Sequence, residues 1–212
     1  MINLLSTNPV LFVALVFAML LSLAFHEFSH AWMGNYLGDT TAKDYGRLTI
    51  NPLAHIDPLG LLLFLLIGFG WGKPVPFDPD NLKYKKFGPA LVGLAGPAAN
   101  FLLVLLFGIF IKILLMTTSV GFENTAVQFF LYVVLINGLW MLFNLIPIPP
   151  LDGSKILFSF LPDSLDEIKF RLEQLGPFIL FTFIFLDQLV GISFFDHLSS
   201  FVFQTVARVL GG

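Results

Sequence analysis

His26-Glu27-Phe28-Ser29-His30 sets two imidazoles four residues apart, with a carboxylate beside the first. On a helix, positions i and i+4 share a face, so both rings can reach one metal ion. Glu27 lies about 100° round the helix from His26, where it flanks that ion and can take a proton from the water the ion activates. This residue pattern suits zinc-dependent hydrolysis of peptide bonds. Its surroundings are unusual, because Leu11 to Phe25 carries no charge. A hydrolytic motif needs water, yet this one closes a segment apolar enough to lie in lipid.

A catalytic zinc takes three protein ligands and keeps one open position. The chain has no cysteine, so the third ligand must be His, Asp or Glu. Within or beside the apolar segments the acidic residues are Glu27, Asp57, Asp152 and Asp187. Asp152 is favoured. It follows Pro147-Ile148-Pro149-Pro150-Leu151, a stretch that cannot continue a helix and must hold its neighbour at a fixed place. Its bland reading is an N-cap for a helix starting at Gly153. Asn144, just before the prolines, reads either as a partner for freed carbonyls or as a donor to a developing oxyanion. Asn100 reads as an interhelical hydrogen bond before a catalytic group. His55 is an accessory candidate, a loop histidine that can approach the metal from a re-entrant segment. His197 reads as an interfacial histidine without a chemical role.

The elements that must carry these residues are membrane elements. The chain is 57% hydrophobic and 12% charged, with 26 phenylalanines and a mean hydropathy of +0.87. Soluble domains carry about 25% charged residues. The expected fold is all-α and integral to the bilayer, one membrane-embedded domain over residues 1–212. Three core spans fall at about 9–33, 89–117 and 126–146. The roughly 25 residues of the first rise about 37 Å, enough to cross about 30 Å of hydrocarbon. Residues 34–87 read as a re-entrant region. It holds an apolar stretch, Leu59 to Gly70, too short to span comfortably, and an alternating segment, Arg47 to Ile50, that predicts a short β-strand. Further membrane helices are expected over about 155–210: an interfacial helix, a fourth span from Pro177 to Phe195 broken by Asp187, and a short amphipathic helix from Asp196. Ala95 and Ala99 give the small-residue spacing that lets membrane helices approach closely.

Charge orients the chain. Lys43, Arg47, Lys73, Lys83, Lys85 and Lys86 lie between the first two spans, and Lys155, Lys169 and Arg171 follow the third. The positive-inside rule puts both groups on the cytoplasmic side, provided that Leu59 to Gly70 does not cross. His26, His30 and Asp152 then share one depth, nearer the cytoplasmic face. Met1 to Asn8 lacks the basic region of a cleavable signal, so the first span reads as retained. The net charge of −3 offers nothing to nucleic acid.

With the motif on the first span and Asn144 to Gly153 on the third, the sequence resembles the site-2 proteases, the intramembrane zinc metalloproteases of peptidase family M50. Gly46 to Pro52, Trp71 to Pro76 and Gly96-Pro97-Ala98-Ala99-Asn100 are similar to the compact prokaryotic branch, without PDZ or CBS domains. The resemblance implies one Zn2+ per chain held by His26, His30 and Asp152, with Glu27 as general base. It also implies a multi-pass protein of a prokaryotic cell membrane that cleaves single-pass transmembrane substrates within the lipid bilayer. The rival readings are a non-catalytic metal-binding scaffold or transporter, and a di-iron membrane oxidase. The oxidase needs many more histidines than the four present.

Overall fold

The computed structural model describes residues 2–67, 70–191 and 193–211. Among the described residues the secondary structure is helical, with one isolated antiparallel bridge between Ile56 and Gly72. A short helix α1, Ile2–Thr7, leads into α2, Pro9–Tyr36. Asn8 starts α2 by accepting the Leu11 N–H on its side chain at 3.0 Å, and Pro9 occupies the first turn, where its missing N–H costs nothing. The second long helix, α5, Gly88–Thr117, contains Pro97. The third, α6, Thr125–Asn144, starts at Asn124, whose side chain accepts from the Ala126 N–H at 2.9 Å.

These three are long and apolar enough to cross a membrane. They agree with the expected spans to within a few residues, and α2 continues to Tyr36. The helices pack on one another and leave much of their apolar surface outward. Phe17, Leu102, Leu106 and Ile109 are more than half exposed, as suits helices solvated by lipid. Each element's buried stripe therefore faces the bundle.

Between α2 and α5 the chain folds back on itself. It forms a one-turn helix α3, Thr41–Asp44, and α4, Pro58–Ile67. With ten residues, α4 rises about 15 Å, half of a hydrocarbon core. Gly68 and Phe69, part of the apolar stretch that ends at Gly70, lie outside the described residues. The strand expected at Arg47 to Ile50 is absent. Gly46 turns the chain with φ +68°, and the Arg47 N–H closes onto the Ala42 carbonyl at 2.7 Å. The Arg47 guanidinium then turns inward to the carbonyls of Lys73 (2.5 Å) and Pro74 (3.2 Å). The alternation that suggests a strand instead records one buried arginine in a turn. Asp39 ties the region together by accepting from Thr41, the Asp78 N–H and Asn81.

Beyond α6 the chain forms α7, Asp152–Phe160; α8, Asp166–Val190; and α9, Phe194–Gly211. Here the boundaries differ from expectation. The expected interfacial segment from Lys155 is split: residues 155–160 belong to α7, and residues 166–176 run on through Pro177 into the apolar segment as one helix, α8, since a proline inside a membrane helix is tolerated where the freed groups find other partners. Asp187 does not break a span. It is buried near the end of α8 and accepts from the Phe194 and Phe195 N–H groups at 2.7 and 3.4 Å, which caps α9. At the far end of α9, Lys112 Nζ from α5 donates to the Val209 carbonyl at 2.9 Å, a cation at a helix C-terminus.

Candidate metal centre

The end of α2 bears two of the candidate metal ligands. His26 and His30 lie on its buried face with Ser22 and Gly34. His30 is six residues and His26 ten residues before Tyr36, about 9 and 15 Å from the helix end. The third group arrives on α7. Leu145 to Leu151 forms a series of turns after α6, and Gly153 lets α7 begin against the end of α6. A Cβ there would lie 2.3 Å from the Leu145 carbonyl oxygen, so only glycine fits. The N-cap reading of Asp152 does not hold. Leu151 is the cap residue, the Asp152 carboxylate makes no capping bond, and it points back to the imidazoles.

The resulting geometry is tight. His26 Nε2 and His30 Nε2 are 3.0 Å apart. Asp152 Oδ2 is 3.3 Å from the first and 3.1 Å from the second. All three residues are buried. Asp152 Oδ1 accepts from Lys155 Nζ at 2.8 Å, while buried Oδ2 has no hydrogen-bond donor.

These residues fit a metal ion. The outer nitrogens of both rings are engaged, His26 Nδ1 at Asn100 Oδ1 (2.6 Å) and His30 Nδ1 at the Val92 carbonyl (2.7 Å). Both partners are acceptors, so each Nδ1 carries a proton and each neutral ring presents its Nε2 lone pair. Two lone pairs and a carboxylate oxygen at this spacing repel one another unless a cation lies among them. Tetrahedral ligands about 2.0–2.1 Å from zinc stand about 3.3 Å from one another, close to the separations found. A helix must also pass close behind the rings. A Cβ on Gly96 of α5 would lie 2.4 Å from His30 Nε2 and 2.5 Å from His26 Cε1. The small-residue spacing at Ala95 and Ala99 points to this approach, but the contact itself is at Gly96.

Glu27 opens onto the same space. Its Oε2 accepts the Val75 N–H at 3.2 Å, from a segment without helix or strand that follows Gly72. That segment is held by Arg47, through the Lys73 and Pro74 carbonyls, and by the His55 carbonyl, which accepts the Lys73 N–H at 2.8 Å. A cavity of about 660 Å³ contains the three candidate ligands and Glu27, with walls that include Phe64, Trp71, Asn144, Lys155, Phe181 and Phe195.

The accessory candidates divide. Asn144 is in the cavity wall, with Nδ2 donating to the Trp140 carbonyl at 3.1 Å. His55 is fully buried but its ring is turned away from the metal group. Nε2 pairs with the Thr49 carbonyl at 2.8 Å and Nδ1 with Arg47 at 3.3 Å. Burial, with Arg47 beside it, keeps its pKa below the ordinary histidine value, against the pull of the Thr49 carbonyl and Glu27. Asn100 does bridge helices, and one of its bonds is to a candidate ligand. Four residues escape the sequence reading: Lys155, Val75 through its backbone, Asn137 and Ser22. Asn137 had a signal, as a polar residue inside an apolar span. Ser22 lies one turn before His26 on the same face. Val75 lies in the Trp71 to Pro76 stretch already singled out, but nothing in the sequence points to its N–H as the partner of Glu27.

Three helices apolar enough to span a membrane and a buried His-His-Asp group define an integral membrane protein with a constellation that could hold a metal ion. Residues 112–186 match the model of peptidase family M50. The chain is 37% identical over 179 residues to "Putative zinc metalloprotease YwhC" of Bacillus subtilis (strain 168), covering 82% of this chain and 81% of that protein. It is 36% identical over 149 residues to "Putative zinc metalloprotease Rip2" of Mycolicibacterium smegmatis, and 33% over 150 residues to Rip2 of Mycobacterium tuberculosis. Each Rip2 match covers 67% of this chain and 55% of the relative. No solved structure matches. The chain belongs to peptidase family M50.

Proposed function

We propose that this protein is a zinc-dependent intramembrane endopeptidase that cuts transmembrane helices of single-pass membrane proteins. The observation that carries the reading is the convergence of His26 Nε2, His30 Nε2 and Asp152 Oδ2 within one cavity that also exposes the Glu27 carboxylate. His26, His30 and Asp152 would hold one zinc ion, which when bound lowers the pKa of a water and polarises the scissile carbonyl. Glu27 takes the proton of the attacking water at its free oxygen and passes it to the leaving amine. The Val75 N–H orients Glu27 by donating to its Oε2. Lys155 keeps Asp152 ionised through Oδ1. Asn144, in the cavity wall, would donate to the oxyanion once its amide turns from the Trp140 carbonyl.

A transmembrane helix hides its backbone in its own hydrogen bonds, so the substrate must unwind before attack. The cut would fall toward the end of α2 that carries His26 and His30, the end that the positive-inside rule favours as cytoplasmic. The protein would then act in the cell membrane of a prokaryote. The relatives named as zinc metalloproteases support the metal and the reaction.

The test is reconstitution. The purified chain in vesicles with a single-span substrate should cleave it, lose activity on removal of zinc by a chelator, and regain it on adding zinc back. Cleavage that persists in the zinc-free protein would refute the reading.

A further inference from the structure

Behind His26, three wholly buried polar side chains lie on three different helices: Ser22 on α2, Asn100 on α5 and Asn137 on α6. Polar groups are costly inside an apolar bundle unless each is bonded, and here the bonds form one directed chain. It starts at two main-chain carbonyls, which can only accept. Ser22 Oγ lies 2.7 Å from the Ala18 carbonyl oxygen, so its proton is committed there and its oxygen is left to accept. Asn137 Nδ2 lies 2.7 Å from both the Val133 carbonyl oxygen and Ser22 Oγ, so the amide must turn its NH2 to them. Its Oδ1 then faces Asn100, whose Nδ2 donates at 2.6 Å. Asn100 Oδ1 is left facing His26 Nδ1 at 2.6 Å.

Neither amide can be reversed. Flipping Asn137 sets oxygen against the Val133 carbonyl, and flipping Asn100 sets oxygen against Asn137 Oδ1. The polarity of two carbonyls is thus carried through three side chains to one ring nitrogen. His26 Nδ1 must donate, and its Nε2 lone pair points at the space shared with His30 and Asp152. His30 reaches the same state in one step, from the Val92 carbonyl.

We propose that Asn100 and Asn137, anchored by Ser22, are positioning residues that fix the tautomer and ring orientation of His26 and so set the metal affinity. Asn137 does this without touching a candidate ligand. The proposal rests on the metal-site reading above. A role in helix packing alone would weaken the fold equally with and without metal, whereas a positioning role appears in the affinity itself.

The experiment measures zinc affinity by chelator competition on the purified full chain in detergent, alongside the thermal melting of the zinc-free protein. Outer partners of ligating histidines alter metal affinity about 10–100-fold. Asn100→Ala should fall in that range, and Asn137→Leu should weaken binding about tenfold. The double variant should be no worse than Asn100→Ala alone, because one chain carries both effects. Where Asn137→Leu does not fold, Asn137→Ala is read instead, with the same tenfold loss expected. Unchanged affinity in folded Asn137 variants would overturn the proposal, as would effects that multiply in the double variant. A lower melting temperature with wild-type affinity would also overturn it and assign the chain to helix packing. A wild-type protein that binds no zinc would instead refute the metal-site reading itself.

Discussion

Gly96→Ala tests how closely α5 must approach the candidate ligands. The added Cβ would lie 2.4 Å from His30 Nε2, 2.5 Å from His26 Cε1 and 2.6 Å from His30 Cε1, where ordinary contacts begin at 3.4 Å. Something must therefore shift by about 1 Å, and the choices are α5 as a body or the two rings. Ligand distances tolerate only about 0.2 Å, so rings that move cease to converge. Overpacking of this kind costs about 1–3 kcal/mol. If the ligands take up the strain, zinc affinity falls about 5–150-fold, since 1.4 kcal/mol is a factor of ten. Cleavage should fall further, because about 1 Å of misplacement at a reacting centre costs about 100-fold. The control is Gly108→Ala on the same helix, where the added Cβ meets nothing within 4 Å. It should bind zinc as the wild type does and gain about 0.5–1 kcal/mol from helix propensity. The assay is zinc content and chelator competition for both variants at matched purity. If Gly96→Ala binds zinc as tightly as Gly108→Ala, the close approach does not define the site.

Three further outcomes follow from the same geometry. Arg47→Met removes the donors to the Lys73 and Pro74 carbonyls and frees the segment that brings Val75 to Glu27. Cleavage should fall about 10–100-fold at unchanged zinc content, and an equal loss of zinc would show that Arg47 acts on the metal group instead. Lys155→Met leaves Asp152 Oδ1 without its cation and should weaken zinc about tenfold, read by chelator competition. Asp39 gives a pH dependence. Burial opposes its ionisation, but bonds from the Thr41 side chain, the Asp78 and Thr41 N–H groups and Asn81 outweigh it and hold its pKa below the usual carboxylate value. The folded form therefore binds fewer protons than the unfolded one. Its contribution is full above about pH 4 and is lost as pH falls below that. Asp39→Asn should flatten the acid limb of a stability-against-pH curve, and an unchanged limb would refute it.

Much of this was legible because membrane spans announce themselves. Pro9 to Tyr36 and Gly88 to Thr117 are long and apolar enough to cross a membrane, so composition alone reveals them and only their ends differ from the sequence reading. The His26–His30 pair follows from helical spacing alone. Asp152 was reachable because three prolines force a break before it, although the feature that seats α7 is Gly153 against the Leu145 carbonyl. What stayed hidden was long-range. Arg47 to Ile50 alternates as a strand does, but the guanidinium of Arg47 finds partners 26 and 27 residues away, which no local pattern contains. His55 reads as an approachable loop histidine until both its ring nitrogens are matched to Thr49 and Arg47. Asp187 reads as a fault in a span until its carboxylate is found at the first N–H groups of α9.

The most direct test is Glu27→Gln, which replaces one carboxylate oxygen by an amide NH2 and leaves His26, His30 and Asp152 untouched. Wild type and variant would be reconstituted with a single-span substrate, and zinc content and cleavage rate measured on the same vesicles. The expected result is one zinc per chain in both proteins and cleavage reduced at least about 100-fold in the variant. Cleavage by Glu27→Gln at the wild-type rate, or a wild-type protein that cleaves while holding no zinc, would contradict it.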